Sequence, residues 1–173
     1  MTGFPNSSVG REYRAFPEIQ GRDDLQVRIE VPLLLRALRI PTGGRVLEIG
    51  CGSGAALLEL TTRLQPRLVA GIDIDRDLLD GARERFARAG TRVDLSHVDV
   101  RALPFGDECF DLIIDFGTCY HIGRPSVALR EVSRVLCEGG LFVHETKVSQ
   151  LLAHPVRSFG RWLPAGTWLR SWE

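Results

Sequence analysis

Three glycines, Gly50, Gly52 and Gly54, alternate with other residues in the stretch GCGSGA. The stretch follows the apolar run RVLEI and leads into GAALLELTTRL, so it joins a predicted strand to a predicted helix. Glycines allow the backbone to pass close to a ligand, and a helix N-terminus offers free N–H groups there. The loop therefore predicts a site for a phosphate-bearing or nucleoside-bearing ligand.

The same loop fits two cofactor motifs. Read as Gly50-x-Gly52-x-x-Ala55, it satisfies the dinucleotide fingerprint, and Asp73 follows at about the expected ~20 residues. Read with Glu48 and Gly54, it resembles motif I, (D/E)xGxGxG, of the class I S-adenosylmethionine-dependent methyltransferases. In both cases the acid after the second strand accepts hydrogen bonds from ribose hydroxyls. The loop alone leaves nicotinamide and sulfonium cofactors both open.

Apolar and polar residues alternate in blocks that predict strand and helix in turn. We predict strands at RVLEI, RLVAGID, RVDLSHVD, CFDLIIDF and LFVHET. The stretch CEGG is expected to end the helix that precedes the last of these strands. Helices are predicted between them, and another over LQVRIEVPLLLRALRI, capped by Asp23 or Asp24 and interrupted or restarted at Pro32. This order predicts an α/β fold with a doubly wound, mostly parallel sheet of about five strands. Ligands of such sheets bind beyond the carboxyl ends of the strands.

Two downstream stretches distinguish the cofactors. HVDVRALPFGDECFDLIID resembles D-A-x-x-L-P-F-x-D-x-x-F-D-x-(V/I) of the ubiquinone/menaquinone-type methyltransferases. LREVSRVLCEGGLFVHE resembles the family's E-x-x-R-V-L-K-P-G-G-x-(L/F), with Cys137-Glu138 in place of Lys-Pro. Only 26 residues follow Lys147, too few for the substrate domain of a nicotinamide enzyme. The chain is identified, over roughly residues 45–147, as similar to this small-molecule family of class I methyltransferases.

The resemblance implies a set of cofactor-binding residues. Asp99 would accept a hydrogen bond from the adenine amino group, Val100 would offer its backbone to the ring, and Asp73 would hold the ribose. Glu48 is expected to orient glycine amides, and Cys51 to face the ligand with its backbone. The predicted set comprises Glu48, Gly50, Cys51, Gly52, Gly54, Asp73, Ile74, Asp99, Val100, Asp115 and Phe116.

The segment after the fourth strand, DFGTCYHIGRP, is where an acceptor and its base are expected. His121 is its only side chain with an ordinary pKa near neutrality, so His121 is the predicted general base. Tyr120 would hydrogen-bond substrate or cofactor. The alternative is that His121 only caps the next helix or satisfies a loop carbonyl. The segment lacks (N/D)PPY, which disfavours base or glutamine amide nitrogens as acceptors.

The composition of the chain indicates which kinds of binding partner and which cellular compartment to expect. Lys+Arg and Asp+Glu both total 22, so net charge predicts no general attraction to nucleic acid or to an anionic membrane. The four cysteines form no CxxC pair, and we predict no metal site. The first residues lack the apolar stretch of a signal peptide, and no apolar run approaches 18 residues. These features predict a cytoplasmic protein without stable membrane insertion.

The chain is expected to form a single domain, residues 1–173. It would comprise a flexible N-terminal arm (1–22), a cofactor-binding core (23–147) and an aromatic-rich C-terminal tail (148–173). The arm would close over the cofactor, and Arg11, Arg14 or Arg22 would meet the methionine carboxylate. The resemblance implies a sixth strand and an antiparallel seventh strand after the fifth. The sequence of the tail instead predicts a C-terminally shortened sheet that lacks this final β-hairpin. Its tryptophans either cover the core, join a homodimer or touch lipid; they are Trp162, Trp168 and Trp172.

The sequence thus predicts an S-adenosylmethionine-dependent methyltransferase with a Rossmann-like core and a small-molecule substrate. One alternative is a non-catalytic S-adenosylmethionine-binding or partner protein, and another is a small NAD-binding module. The acceptor atom, O, N, C or S, stays open because the arm and tail would supply most substrate contacts.

Overall fold

The computed structural model describes residues 19–145. Its five strands are β1 (Arg45–Ile49), β2 (Leu68–Asp73), β3 (Asp94–His97), β4 (Phe110–Asp115) and β5 (Leu136–His144). Its α-helices are α1 (Ile19–Leu25), α2 (Val31–Ala37), α3 (Ala55–Leu64), α4 (Arg76–Arg88) and α5 (Pro125–Val135). A π-helical segment, Gln26–Glu30, joins α1 to α2.

All strands of the described sheet run parallel, in the order β3-β2-β1-β4-β5. The chain moves outward from β1 to β3, crosses back to β4, and continues outward to β5. The predicted doubly wound α/β sheet of about five strands is confirmed. A crevice opens beyond the carboxyl ends of β1 and β4, where the order reverses, and such switch points are where these sheets bind ligands.

Alternating residues of the strands fill a core on each face of the sheet. On β1, Val46 belongs to the cluster formed with Leu57, Leu60 and Phe86 of α3 and α4. Leu47 belongs to the cluster on the opposite face, with Ala128 and Val132 of α5. Burying each large aliphatic or aromatic side chain contributes about 1.5–3 kcal/mol. Both faces are covered, which explains why the strand sequences are nearly continuous in apolar residues.

The N-terminal helix differs from its prediction. Helix α1 begins at Ile19, within the expected arm, so Asp23 and Asp24 lie inside the helical run and the prediction that either is an N-cap was wrong. The Val31 N–H reaches the Gln26 carbonyl five residues back, which makes the turn before Pro32 π-helical. Pro32 then lies in the first turn of α2, where its missing N–H costs no helical hydrogen bond.

The start of the last described strand was also predicted wrongly. β5 begins at Leu136, directly after α5, and includes the stretch CEGG that was expected to be a loop. Phe110 pairs with Leu136, but Leu112 pairs with Leu141, so the register shifts across this stretch. Gly139 at φ +73° permits the irregular backbone. A glycine pair inside an otherwise apolar strand therefore forms a bulge here rather than ending the strand.

Several expectations concern residues 1–18 and 146–173, which lie outside the described residues. These are most of the N-terminal arm, the tryptophan-rich tail and the missing hairpin. Within residues 19–145, no helix combines the length and the apolar character needed to cross a membrane.

Candidate functional site

The glycine loop lies between the end of β1 and the start of α3. Gly50, Gly52 and Gly54 all have positive φ, of 66°, 51° and 74°. Other residues are strained in this region, so the loop's course requires these glycines. A Cβ on Gly54 would lie 3.0 Å from the Phe86 ring and 3.1 Å from Ala82 Cβ. Its absence lets α3 begin close against α4.

Gly50 also permits a contact between the glycine loop and the segment after β4. A Cβ at Gly50 would lie 1.7 Å from Thr118 Oγ1. That hydroxyl donates to the Ile49 carbonyl at 3.2 Å, so the two segments touch at the switch point. Gly50 was predicted from the sequence to bind the ligand, whereas its contact with Thr118 was not predicted.

Substituting Gly50 by alanine is expected to destabilise the protein more than the same change at Gly43. Both glycines have positive φ, but a Cβ at Gly43 meets no atom within 4 Å. Gly43→Ala should therefore cost only the backbone strain, about 1–2 kcal/mol. Gly50→Ala should cost about 1–3 kcal/mol more, because Thr118 must move. Urea unfolding of the two variants tests this, and equal losses would show that the Thr118 contact is unimportant.

Asp73, at the end of β2, holds the glycine loop through hydrogen bonds to its carboxylate. Its carboxylate is buried; Oδ2 accepts from the Gly52 N–H at 2.7 Å and Oδ1 accepts from the Asp75 N–H at 2.9 Å. Asp75, rather than Asp73, is the N-cap of α4, as its side chain accepts from the amides of Asp77 and Leu78.

Cys51 is held inside the loop by two backbone bonds. Its N–H donates to the Ile72 carbonyl at 2.9 Å, and its carbonyl accepts from the Gly54 N–H at 2.8 Å. Burial raises the pKa of the Cys51 thiol well above its ordinary value, so the thiol stays protonated. The side chain fills space beside Gly71, where a Cβ would meet its sulfur at 2.9 Å.

A pocket extends from Gly50 along the ends of β2 and β3. Five of its lining residues were predicted from the sequence: Gly50, Asp73, Ile74, Asp99 and Val100. The remainder are Ile72, Val98, Arg101, Thr118 and Ile122. Most of these side chains are apolar, and Asp73 and Asp99 supply carboxylates. The Ile74 carbonyl is within 2.8 Å of His97 Nε2, which fixes the backbone of this wall.

Asp99 is paired with Arg101, a residue that was not predicted to belong to the site. The Arg101 side chain donates to both carboxylate oxygens, with Nε at 2.9 and 3.0 Å, and the Arg101 N–H donates to Oδ1 at 2.8 Å. Burial alone would raise the pKa of Asp99, but the hydrogen bonds from Arg101 outweigh it and hold the pKa below its usual value. Arg101 lies two residues after Asp99, at a variable position of the matched motif, so no motif signalled it.

Glu48 is the least satisfied polar group of the described site. It is 0% exposed, and neither carboxyl oxygen has a hydrogen-bond partner among residues 19–145. Burial raises the pKa of Glu48 well above its ordinary value, and the charges of Asp73, Asp115 and Asp23 add to the rise, while Arg22 opposes it. The amides of Gly52 and Gly54 bond to other acceptors. The expectation that Glu48 orients these two amides was wrong.

Helix α1 covers the site on the Glu48 side. The Arg22 guanidinium donates to the Phe116 carbonyl at 2.8 Å and to Glu145 at 3.3 Å, and it pairs with Glu30. The next residue, Asp23, accepts from Ser53 of the glycine loop at 2.6 Å and pairs with Arg85. The helix is therefore tied both to the loop and to the end of β4.

Asp115 anchors the segment that follows β4. Its buried carboxylate accepts hydrogen bonds from the backbone N–H groups of Gly117, Thr118 and Cys119. It also forms a hydrogen bond with Nδ1 of His144. Asp115 was predicted to border the cofactor; in the structure its side chain holds this turn, and its contact with a cofactor stays a prediction. Asp115, Cys119 and His144 also place one potential metal-ligand atom each within 4.8 Å of one another. The four hydrogen bonds use the carboxylate lone pairs that a metal would need.

Tyr120 and His121 follow this anchor, outside the lining of the pocket. Their rings lie 4.1 Å apart, and the His121 N–H closes a turn on the Thr118 carbonyl at 3.0 Å. Tyr120 packs over Gly117, where a Cβ would be 2.7 Å from its hydroxyl. The His121 Nε2 atom is buried. Phe116 is half-buried and packs towards the α3 face of the sheet.

Comparison with known proteins places this site in context. Residues 46–140 match the profile of a family described as "Methyltransferase domain". A fatty-acid O-methyltransferase of Mycolicibacterium smegmatis is 35% identical over 102 residues, 59% of this chain and 36% of that enzyme. A ubiquinone biosynthesis O-methyltransferase of a Ruegeria species is 29% identical over 155 residues, 87% of this chain and 59% of that enzyme. The chain thus spans less than two thirds of either relative.

The fold also matches solved structures. The PH0226 protein of Pyrococcus horikoshii superposes with a TM-score of 0.65 at 27% identity, covering 95% of this chain and 76% of that one.

Proposed function

The chain belongs to the methyltransferase-domain family, and we propose that it transfers a methyl group from S-adenosylmethionine to a small-molecule acceptor. One observation carries the proposal: the pocket at the switch point joins Gly50, Asp73 and Asp99 in one cleft. The names of the two relatives, a fatty-acid and a ubiquinone-pathway O-methyltransferase, support a small-molecule acceptor.

The residues of the cleft fit this cofactor. Asp73 lies at the end of β2 beside the glycine loop, where its carboxylate can accept hydrogen bonds from ribose hydroxyls. The apolar side chains of Ile74, Val98 and Ile122 offer flat walls to an adenine ring, and Asp99 lies at the same end for its amino group. The buried, unbonded carboxyl group of Glu48 suits a positively charged part of the ligand, because a cation would offset the cost of its ionisation.

When bound, the cofactor supplies an already activated methyl group on a sulfonium. The chain's own task is to align the acceptor with that methyl, to exclude water and to accept a proton where the acceptor carries one. We place the acceptor beyond the carboxyl ends of β4 and β5, where Tyr120 and His121 follow the Asp115 anchor. The predicted cofactor contacts of Glu48, Cys51, Gly52, Gly54, Val100, Asp115 and Phe116 belong to this proposal.

The wider setting is proposed from composition alone. A net charge of zero favours a small acceptor over nucleic acid. We also propose a homodimer that forms through the tryptophan-rich residues 148–173.

Calorimetry with the full chain tests the cofactor. We expect S-adenosylmethionine and S-adenosylhomocysteine to bind and NAD to give no heat above dilution. Binding of NAD without binding of the sulfonium cofactor would overturn the proposal. Release of S-adenosylhomocysteine in the presence of hydroxyl, amine and thiol acceptors then distinguishes an enzyme from a protein that only binds the cofactor.

A further inference from the structure

A carboxylate–imidazole pair lies at the carboxyl ends of β4 and β5, outside the cofactor pocket. Asp115 and His144 are register partners in the parallel pairing of these strands. His144 Nδ1 is 2.8 Å from Asp115 Oδ2. The Asp115 side chain is 0% exposed, whereas that of His144 is 28% exposed. One member of the pair is therefore buried, and the other is partly exposed at the carboxyl end of β5.

The hydrogen bonds of Asp115 determine which nitrogen of His144 carries the proton. Oδ1 accepts from Gly117 and Thr118, and Oδ2 accepts from Cys119 as well as from His144. A carboxylate held by three backbone N–H groups acts as an acceptor, so Nδ1 of His144 must be the donor in the fourth bond. In the neutral ring, Nε2 then carries the lone pair.

The remaining contacts of His144 fix its ring and leave Nε2 open. The ring stacks on Phe142, with centroids 5.7 Å apart and an interplanar angle of 19°. No residue between 19 and 145 hydrogen-bonds to Nε2. A basic nitrogen in a fixed ring, at the edge where ligands of these sheets bind, is suited to accept a proton from a ligand.

We propose that His144 is the general base for the methyl acceptor and that Asp115 is the residue that positions it. This inference rests on the proposed function. Nε2 takes the proton of the acceptor's X–H group, and the electron pair of X forms the new bond to the methyl carbon. The bond from that carbon to the sulfonium breaks, and its electron pair stays on sulfur. The products are X–CH3, a neutral thioether and the imidazolium of His144.

The position of His144 differs from that of His121 in the way that matters for a base. The Nε2 atom of His121 is buried, and its ring lies against Tyr120. His144 is more open to an acceptor and has a carboxylate behind it. The two histidines are therefore competing candidates that experiment can separate.

The charges around His144 predict the pH dependence of the reaction. The hydrogen bond to Asp115 raises the pKa of His144, burial opposes it, and the charges of Asp115 and Glu145 add to the rise. Cys119 lies beside the pair, and Arg22 contacts Glu145 from α1. A base must be deprotonated, so turnover should rise with pH through a midpoint above the ordinary histidine value of about 6.5.

The decisive variant is His144→Asn, because the asparagine amide nitrogen can still donate to Asp115 while the base is lost. With catechol as the acceptor probe, we expect kcat to fall roughly 10²–10⁴-fold. The dissociation constant of S-adenosylmethionine should stay within twofold of the parent value. The urea midpoint should equal that of the parent within error. His121→Asn is made in parallel as the rival. A larger loss of kcat in His121→Asn than in His144→Asn would overturn the proposal.

Nitrogen-15 NMR of the full-length protein gives a readout that does not depend on turnover. We expect neutral His144 to carry its proton on Nδ1 and to titrate above 6.5, and Asp115→Asn to lower that midpoint. A proton on Nε2 would exclude that nitrogen as the base, and a midpoint at or below 6.5 would exclude Asp115 as the group that raises the pKa of His144. Failure of the cofactor to bind would instead contradict the proposed function, whatever the NMR result.

Discussion

Replacing Glu48 by methionine is expected to stabilise the protein by about 1–3 kcal/mol at pH 5, the usual cost of a buried polar group without a hydrogen bond. Glu48 is fully buried, and both carboxyl oxygens lack partners in the described part of the chain. Methionine has a similar length and adapts to irregular space without placing oxygens there. The free energy of unfolding from urea titration of parent and variant measures the effect.

The gain should grow with pH. The pKa of Glu48 is raised in the folded protein, so the folded state retains a proton that the unfolded state loses above about 4.5. Stability of the parent then falls as pH rises through this range, by roughly 1.4 kcal/mol per pH unit for one proton. In Glu48→Met this contribution disappears, so the difference between the two proteins should widen from pH 5 to pH 7.

An exposed glutamate provides the control for Glu48. Glu138 lies on β5 and is exposed, so Glu138→Met should change stability by no more than about 0.5 kcal/mol at either pH. If Glu48→Met is less stable than the parent at pH 7, the carboxyl group has a partner that outweighs its burial. We expect the stabilised variant to bind S-adenosylmethionine more weakly, as is common when a strained functional group is removed.

Asp73→Ala is expected to weaken binding of S-adenosylmethionine by about 1–3 kcal/mol, because ribose hydroxyls would lose their acceptor. The same change removes the acceptor of the Gly52 and Asp75 amides. The free energy of unfolding should therefore fall as well. Calorimetry and urea unfolding of the same preparation measure both effects.

Asp75→Ala separates the loss of binding from the loss of stability. Asp75 caps α4 through the amides of Asp77 and Leu78 and does not line the pocket. Losing this cap should cost about 1 kcal/mol of stability. Cofactor affinity should remain that of the parent. If both variants lose the same affinity, the effect of Asp73 is transmitted through the fold rather than through contact with the ligand.

The parts of the fold that followed from sequence share a local physical cause. The apolar runs of β1, β2 and β4 and the amphipathic α4 and α5 are specified by residues within each element. The start of β5 was missed because its glycine pair is accommodated by pairing with β4, a non-local interaction. The early start of α1 was missed because Arg22 and Asp23 are held by Phe116 and Ser53, which are distant in sequence.

The candidate site divides in the same way. The sequence by itself determined the α/β fold class, the family resemblance, and the glycine loop with Asp73 and Asp99. The geometry of the loop requires glycine, and the end of a strand can be identified from the residues of that strand alone. Only the tertiary structure decided that Arg101 holds Asp99, that Thr118 meets Gly50, and that Glu48 is buried without a partner. It also brought His144 to Asp115 across neighbouring strands. These contacts form between side chains that are brought together by folding, so the spacing of residues along the chain does not predict them.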